Sequence, residues 1–264
     1  MVYAFGKLDL IREVLKKPRF GLITDVDGTI SRTTSSPEEA TVSPKCRHYL
    51  TILCRKLTLI AAISGRPATQ IKEMIGIDGM VYLGNHGLER LGEGDYELAQ
   101  NTKDYSQVIK TALKELTPSL SDEGIIIEDK GITASIHYRL CLEPESVMKR
   151  ILTAVKSLPQ ARSLRIMEGK MVINLLPDIG VNKGTATLKL IKSYNLEGGI
   201  YIGDDHTDID AFKAIHTPQS DFQGLAIGVI SKEMPQDLTK EADLTLNGVA
   251  DVERFLGWMS EELS

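Results

Sequence analysis

Two aspartates one residue apart follow an apolar segment near the amino terminus. The segment FGLIT ends at residue 24, and residues 25–29 read DVDGT. Because side chains alternate along an extended chain, Asp25 and Asp27 are expected to point the same way. Ligands of open α/β sheets bind beyond the carboxyl ends of the strands. The pair is therefore predicted to serve a metal and a phosphate group.

A second acidic segment also follows an apolar run. GGIYIG ends at residue 203, and residues 204–208 read DDHTD. Three acids within five residues are unfavourable at a strand end unless a cation neutralises them. Carboxylate oxygens are hard ligands that suit Mg²⁺. The sequence therefore predicts one Mg²⁺ site shared between Asp204, Asp208 and the first acidic segment.

Two further segments could hold a phosphate. Ser64, Gly65 and Arg66 end the apolar run LTLIAAI, where a hydroxyl and backbone amides before a helix can form a phosphate cradle. Lys183, at the start of a helical pattern, can reach both a phosphate and a carboxylate. Residues 64–66 could instead be a simple strand-to-helix turn, and Lys183 could be an ordinary solvated lysine. They indicate a phosphate site only in combination with the acidic segments.

The elements that position these residues indicate an α/β fold. FGLIT, LTLIAAI, GGIYIG and LAIGVI lack polar alternation, which is typical of parallel strands buried on both faces. Helical patterns begin at Ser43-Pro44 and at Pro67, and a third has the period of Ala186, Leu190, Ile191 and Tyr194. Strands that alternate with helices predict a doubly wound, Rossmann-like parallel-sheet core.

The middle of the chain has another order of elements. Two amphipathic helical patterns each precede two strand candidates, near 124–128 and 132–138 and then near 162–167 and 171–176, which gives αββαββ. We expect a smaller inserted α+β cap domain at 103–177, and a core domain formed by 1–102 and 178–264.

These motifs, in this order, resemble the haloacid dehalogenase superfamily of phosphohydrolases. GNHG at 84–87, HYR at 137–139, EGKMVINLLP at 168–177 and GVNKGTA at 180–186 are similar to trehalose-phosphate phosphatases. The resemblance covers about residues 19–258 and includes the αββαββ cap. The sequence departs from the family pattern at GDDHTDI, where the family usually has GDDRTDE, and at Asn182, where the family often has Asp.

The resemblance implies a Mg²⁺-dependent hydrolysis of trehalose 6-phosphate. Asp25 would attack phosphorus and form an aspartyl-phosphate, and Asp27 would protonate the leaving sugar oxygen and then deprotonate water. Lys183, Ser64 and Thr29 would hold phosphate oxygens. The implied metal ligands are Asp25, the backbone carbonyl of Asp27, Asp204 and Asp208.

Substrate selectivity is expected from the inserted domain, which can close over the core and read the leaving group. His137 and Arg139 lie on the polar side of a strand pattern, and Glu168 and Lys170 precede another strand. His86 follows a core strand. We predict that these five residues contact the sugar phosphate, although charged residues on a polar sheet face are often merely solvated.

Bulk properties narrow the classes of partner. The net charge is −5 and no basic stripe is visible, so no nucleic-acid partner is expected. No apolar stretch approaches the ~18 residues of a membrane span. The three cysteines are sparse and show no close pairs, so we expect a cytoplasmic protein. We also expect a monomer.

Other functions use similar residues. The same site could serve glucosyl- or mannosyl-3-phosphoglycerate or sucrose 6-phosphate, and a phosphosugar mutase would keep both aspartates. A catalytically silent sugar-phosphate sensor is expected to have lost one of Asp25, Asp27, Lys183 or Asp204, and all four are present. The sequence therefore favours a phosphatase.

Overall fold

The structure is a computed structural model that describes residues 2–34, 37–92, 94–121, 123–218 and 221–264. Contacts within the chain divide it into two compact units. The first comprises 1–97 and 181–264, and the second comprises 98–180. The insert expected at 103–177 lies inside the second unit.

The described residues form strands and helices with the following bounds. The strands are β1 Phe20–Thr24, β2 Leu59–Ile63, β3 Val81–Gly84, β4 Glu89–Gly92, β5 Asp95–Leu98, β6 Ile126–Asp129, β7 Ala134–His137, β8 Leu164–Gly169, β9 Val172–Pro177, β10 Gly198–Gly203, β11 Gln223–Ile230 and β12 Leu244–Asn247. The α-helices are α1 Leu8–Leu15, α2 Pro44–Cys54, α3 Ala68–Ile75, α4 Tyr105–Leu116, α5 Pro144–Ser157, α6 Lys183–Ser193, α7 His206–Ile215, α8 Leu238–Glu241 and α9 Gly248–Glu262.

The first unit is built on a mixed sheet in the order β12-β11-β10-β1-β2-β3-β4-β5. The strands from β12 to β3 are parallel, and β4 pairs antiparallel with β3. Leu22 packs in an apolar cluster with α1, α2, α3 and α9, whereas Ile23 packs in a second cluster with α6, α7 and α8. Neighbouring residues of β1 thus face opposite helical layers, which confirms the doubly wound core.

Two strands at one edge of this sheet, β4 and β5, were not predicted. β4 reads ERLG and β5 reads DYEL, and β5 is largely exposed. Polar edge strands lack the unbroken apolar runs that mark buried parallel strands. The predicted helix starts are confirmed: Ser43 precedes α2 and its hydroxyl accepts a hydrogen bond from the Cys46 amide at 3.4 Å, and Pro67 precedes α3.

The second unit contains the antiparallel sheet β6-β7-β9-β8 with α4 and α5. Its element order is αββαββ, as predicted. β6 and β8 each begin two residues after the predicted starts of 124 and 162. Ala134 and Ile136 of β7 lie in the apolar cluster with α4 and α5, and on the other face Ser135 donates a 2.6 Å hydrogen bond to Asn174 of β9.

No helix in the described parts of the chain has both the length and the apolar character that crossing a lipid bilayer requires.

Candidate active site

The loop after β1 gives its two aspartates different surroundings. The Asp25 amide donates to the Ile202 carbonyl of β10 at 2.8 Å, which continues the sheet by one residue. The chain then turns sharply, because the Val26 carbonyl accepts from the amides of residues 29, 30 and 31. Asp25 is buried, whereas 37% of the Asp27 side chain is exposed. The two carboxylates therefore have separate partners.

Lys183 joins the Asp25 carboxylate to the second acidic segment. Its Nζ donates to Asp25 Oδ1 at 2.6 Å and to Asp208 Oδ1 at 2.8 Å. Burial alone would lower the pKa of the Lys183 ammonium, but the carboxylates of Asp208 and Asp25 outweigh burial and raise that pKa above its usual range. Lys183 is the first residue of α6, whose start is fixed by reciprocal hydrogen bonds between Asn182 and Thr185.

Asp208 accepts hydrogen bonds on both of its oxygens. Oδ1 accepts from Lys183 and from the Tyr201 hydroxyl at 2.7 Å, and Oδ2 accepts from the amides of Asp204 and Asp205 at 3.0 and 2.9 Å. A carboxylate offers about four lone-pair positions, so these four bonds saturate it. Asp208 is therefore arranged to organise its neighbours rather than to receive another ligand.

Asp25 and Asp204, with the saturated Asp208 beside them, form a candidate metal site. One oxygen each from Asp25, Asp204 and Asp208 lies within 4.8 Å of the others. Burial raises the pKa of the Asp25 carboxyl well above its usual range; Lys183 opposes this shift, and the charges of Asp208 and Asp204 add to it. Three carboxylates carry more negative charge than the single ammonium of Lys183 balances. Oxygen donors with such an excess of negative charge fit a hard divalent cation such as Mg²⁺.

Two glycines make room for acids of the site: Gly28 lets the two acidic segments approach each other, and Gly203 makes room for Asp208. Gly28 has φ +91°, and a Cβ there would lie 2.0 Å from Asp204 Oδ2. A Cβ on Gly203 would lie 2.3 Å from the Asp208 carboxyl carbon. A side chain at either position would displace an acid of the site, so close approach requires glycine at both, and at Gly28 the positive φ requires it as well.

The predicted phosphate cradle lies at the end of β2. The Arg66 amide donates to Ser64 Oγ at 3.2 Å, and the His86 amide donates to the Ser64 carbonyl at 2.9 Å. A Cβ on Gly65 would lie 2.7 Å from His86 Nε2, so His86 packs directly over this glycine. The Arg66 guanidinium makes two hydrogen bonds to Asp27. The structure therefore joins Ser64, Gly65, Arg66 and His86 to the Asp25–Asp27 loop.

The sequence did not single out two buried residues that support this site. Glu89 of β4 accepts from the Ala68 amide at 2.7 Å and from the Asn85 side chain at 2.8 Å, and it thereby ties α3 to the GNHG turn. A buried carboxylate at a helix start is favoured by the helix dipole. Glu89 directly follows GNHGL, a weak local signal. Tyr201 lies within an apolar strand and gives no sequence signal beyond core packing.

Four predicted site residues belong to the second unit. His137 Nε2 lies 3.1 Å from Glu128 Oε2, and Arg139 Nη2 donates to the Lys170 carbonyl at 3.3 Å. Glu168 is exposed and lies within β8, where it pairs with Ile173. The structure therefore brings Arg139 to the β8–β9 turn that carries Lys170, and it gives His137 a different partner.

The three residues that depart from the family pattern lie in different environments. His206 is exposed in the first turn of α7. Ile209 is buried in the apolar cluster with α6 and α8. Asn182 caps α6 directly before Lys183, a role that Asn fills as well as Asp does.

The sheet order and the helical layers define a haloacid dehalogenase-like fold. A structure described as a haloacid dehalogenase-like hydrolase from Bacteroides thetaiotaomicron has a similar fold, with a TM-score of 0.66 at 13% identity over 91% of this chain and 99% of that chain. The C-terminal domain of trehalose-6-phosphate phosphatase from C. albicans gives a TM-score of 0.79 at 19% identity, covering 99% of this chain and 98% of that one.

Sequence comparison identifies the family. The model of the trehalose-phosphatase family matches residues 23–249. The probable trehalose-phosphate phosphatase 2 of Oryza sativa subsp. japonica is 28% identical over 282 aligned positions, which cover 96% of this chain and 71% of that protein. The chain therefore belongs to the trehalose-phosphatase family, a family of phosphoric monoester hydrolases.

Proposed function

We propose that this protein removes the phosphate from trehalose 6-phosphate to give trehalose, through an aspartyl-phosphate on Asp25. The observation that carries the proposal is the buried Asp25 carboxylate, held at 2.6 Å by the Lys183 ammonium next to two further buried aspartates. Family membership supports the substrate.

The residues around Asp25 suit attack on a phosphate. Lys183 donates to Oδ1, and the Thr29 hydroxyl donates to Oδ2 at 3.3 Å, so the carboxylate is held from both sides. An oxygen of Asp25 would form a bond to phosphorus as the bond from phosphorus to the sugar oxygen breaks. Asp27 would give its proton to that leaving oxygen, and then take a proton from the water that hydrolyses the aspartyl-phosphate. Ser64 would hold a phosphate oxygen.

We propose that Asp25, Asp204 and the backbone carbonyl of Asp27 hold Mg²⁺. When bound, the ion would neutralise charge on the phosphate and orient it. Asp208 would support this site indirectly, because its oxygens already accept four hydrogen bonds.

We further propose that Lys170, Arg139, Glu168 and His137 give the enzyme its preference for a sugar ester, together with His86 of the first unit. Lys170→Ala is expected to lower hydrolysis of trehalose 6-phosphate more than hydrolysis of para-nitrophenyl phosphate, because the aryl ester lacks the sugar hydroxyls. Equal losses with both esters would argue against this role.

The proposal is tested by phosphate release from a panel of trehalose 6-phosphate, sucrose 6-phosphate, glucosyl-3-phosphoglycerate and glucose 6-phosphate, with Mg²⁺ or with EDTA. We expect preferential, EDTA-sensitive release from trehalose 6-phosphate. Asp25→Asn should abolish turnover without unfolding the protein, while Asp9→Asn on the exposed side of α1 serves as the matched control. Preference for another ester would reject the substrate, and activity retained in Asp25→Asn would reject the nucleophile.

A further inference from the structure

Asp27, the acid proposed to protonate the leaving group, accepts two hydrogen bonds from the guanidinium of Arg66. Arg66 Nε donates to Asp27 Oδ2 at 2.7 Å, and Arg66 Nη2 donates to Asp27 Oδ1 at 2.9 Å. The Arg66 side chain is 9% exposed, whereas the Asp27 side chain is 37% exposed. A planar fork that donates to both oxygens fixes the carboxyl plane as well as its distance.

The backbone that carries Arg66 is itself held. Its amide donates to Ser64 Oγ, and its carbonyl accepts from the Asn85 amide at 2.8 Å. Asp27 belongs instead to the loop after β1, and 39 residues separate the two side chains in sequence. The pair therefore links a hydrogen-bonded turn at the end of β2 to an acid whose side chain is partly solvated.

We propose that Arg66 is a positioning residue for Asp27, which it orients toward the leaving oxygen, and not primarily a ligand of the phosphate. This inference rests on the proposed function. Each carboxylate oxygen has two lone pairs, and the fork occupies one on each. One lone pair on each oxygen of Asp27 therefore stays available to the leaving group while Arg66 sets the orientation of the carboxyl plane.

The two roles of Arg66 differ in their dependence on the leaving group. Sugar alkoxide is a poor leaving group and needs a proton, whereas para-nitrophenolate leaves without one. Loss of a phosphate ligand should slow both esters alike, and misplacement of an acid should slow mainly the sugar ester. The parameter to compare is kcat/KM, because it covers the steps up to transfer of phosphate to Asp25 and leaves out the later use of Asp27 as a base.

The experiment measures kcat/KM for trehalose 6-phosphate and para-nitrophenyl phosphate with Mg²⁺ in four variants. Asp27→Asn should lower the value for the sugar ester about 100-fold, as is typical of lost general acid catalysis. Arg66→Met should lower it about 10-fold, with a distinctly smaller loss for the aryl ester. Arg66→Lys should recover little, because an ammonium cannot form the fork. Arg12→Met removes an arginine that also contacts two carboxylates, away from the site, and controls for general effects.

Two results would overturn the inference, and they have different meanings. If Arg66→Met lowers kcat/KM equally for both esters, Arg66 is a phosphate ligand and the proposed function stands. If Asp27→Asn lowers kcat/KM for the sugar ester no more than for the aryl ester, the acid role in the proposed function fails together with the inference. A fifth variant that combines Asp27→Asn with Arg66→Met provides a second measure. We expect its kcat/KM to be no lower than that of Asp27→Asn, because both changes remove the same action. Urea unfolding of each variant identifies any loss of folding, and a misfolded Arg66→Met leaves Arg66→Lys to decide.

Discussion

The hydroxyl of Tyr201 is buried beside the candidate site, and we predict that its hydrogen bond to Asp208 supports catalysis without contacting the substrate. Tyr201 is fully buried in β10, its ring meets Phe212 edge-on at 5.8 Å, and its hydroxyl donates to Asp208 Oδ1 at 2.7 Å. Burial and the Asp208 charge raise the pKa of the Tyr201 phenol well above its usual range, which keeps it a neutral donor. Tyr201→Phe preserves the ring and removes this one hydrogen bond.

The expected magnitude follows from the charge of the acceptor. A hydrogen bond to an ionised group contributes about 1.5–3 kcal/mol to stability, against about 0.5–1.5 kcal/mol for a neutral one. Asp208 keeps three other donors in Tyr201→Phe, so we expect a loss of about 1.5 kcal/mol. If this whole loss also falls on the placement of Lys183 in the transition state, kcat/KM drops by about tenfold.

The chain offers a matched control in Tyr82. Tyr82 is also buried in the core sheet, but its hydroxyl donates to the neutral Ile77 carbonyl at 2.5 Å. Both variants should be followed by urea unfolding and by phosphate release from trehalose 6-phosphate. We expect Tyr82→Phe to lower stability and to keep the wild-type kcat/KM. If Tyr201→Phe lowers stability without lowering activity, the hydroxyl does not help to position Lys183 and the reasoning is wrong.

Three further predictions concern the same unit. Gly28→Ala should reduce phosphate release by at least about 100-fold, because its Cβ would meet Asp204 Oδ2 at 2.0 Å; near-normal release would contradict the close approach of the two loops. Lys183→Met should lower the free energy of unfolding by about 3–5 kcal/mol in EDTA, because two buried carboxylates lose their shared ammonium, and Mg²⁺ should reduce that loss in urea titrations. The hydrogen bond to Asp243 raises the pKa of His216 above its usual value, so its contribution to stability should be full below about pH 6.5 and should disappear as the pH rises through the raised pKa. A difference in urea midpoint between wild type and His216→Gln that does not change with pH would contradict this assignment.

Burial decided which strands could be predicted from the sequence. β1 and β10 are covered by helices on both faces, so their sequences are continuously apolar and indicate parallel strands. The same criterion fails for β4 and β5, which are polar and lie near or at the edge of the sheet. Within the second unit, alternation identified β7, because Ala134 and Ile136 pack on the helices while Ser135 faces the other way.

The site was predicted where chemistry is concentrated in short segments. Residues 25–29 and 204–208 are recognisable because charged residues follow buried strands, and Lys183 was predicted to reach a carboxylate from a helix start. Tyr201 could not be predicted, because its hydroxyl matters only when α7 folds back and brings Asp208 to it. The partner of Arg66 was also hidden, since a pair separated by 39 residues leaves no local pattern.

Charge balance explains why these residues act as a unit. Three buried carboxylates lie close together, those of Asp25, Asp204 and Asp208. Lys183 donates hydrogen bonds to two of them, Asp25 and Asp208. Asp27 is balanced separately by Arg66. In the proposed function, a phosphate that enters such a cluster adds further negative charge, and the proposed Mg²⁺ would supply the charge that balances it. The proposed Mg²⁺ dependence follows from this balance, and Lys183 alone would not replace the ion. In Lys183→Met, saturating Mg²⁺ should therefore restore stability further than it restores turnover, because the ion can compensate buried charge but cannot donate the hydrogen bond that holds Asp25.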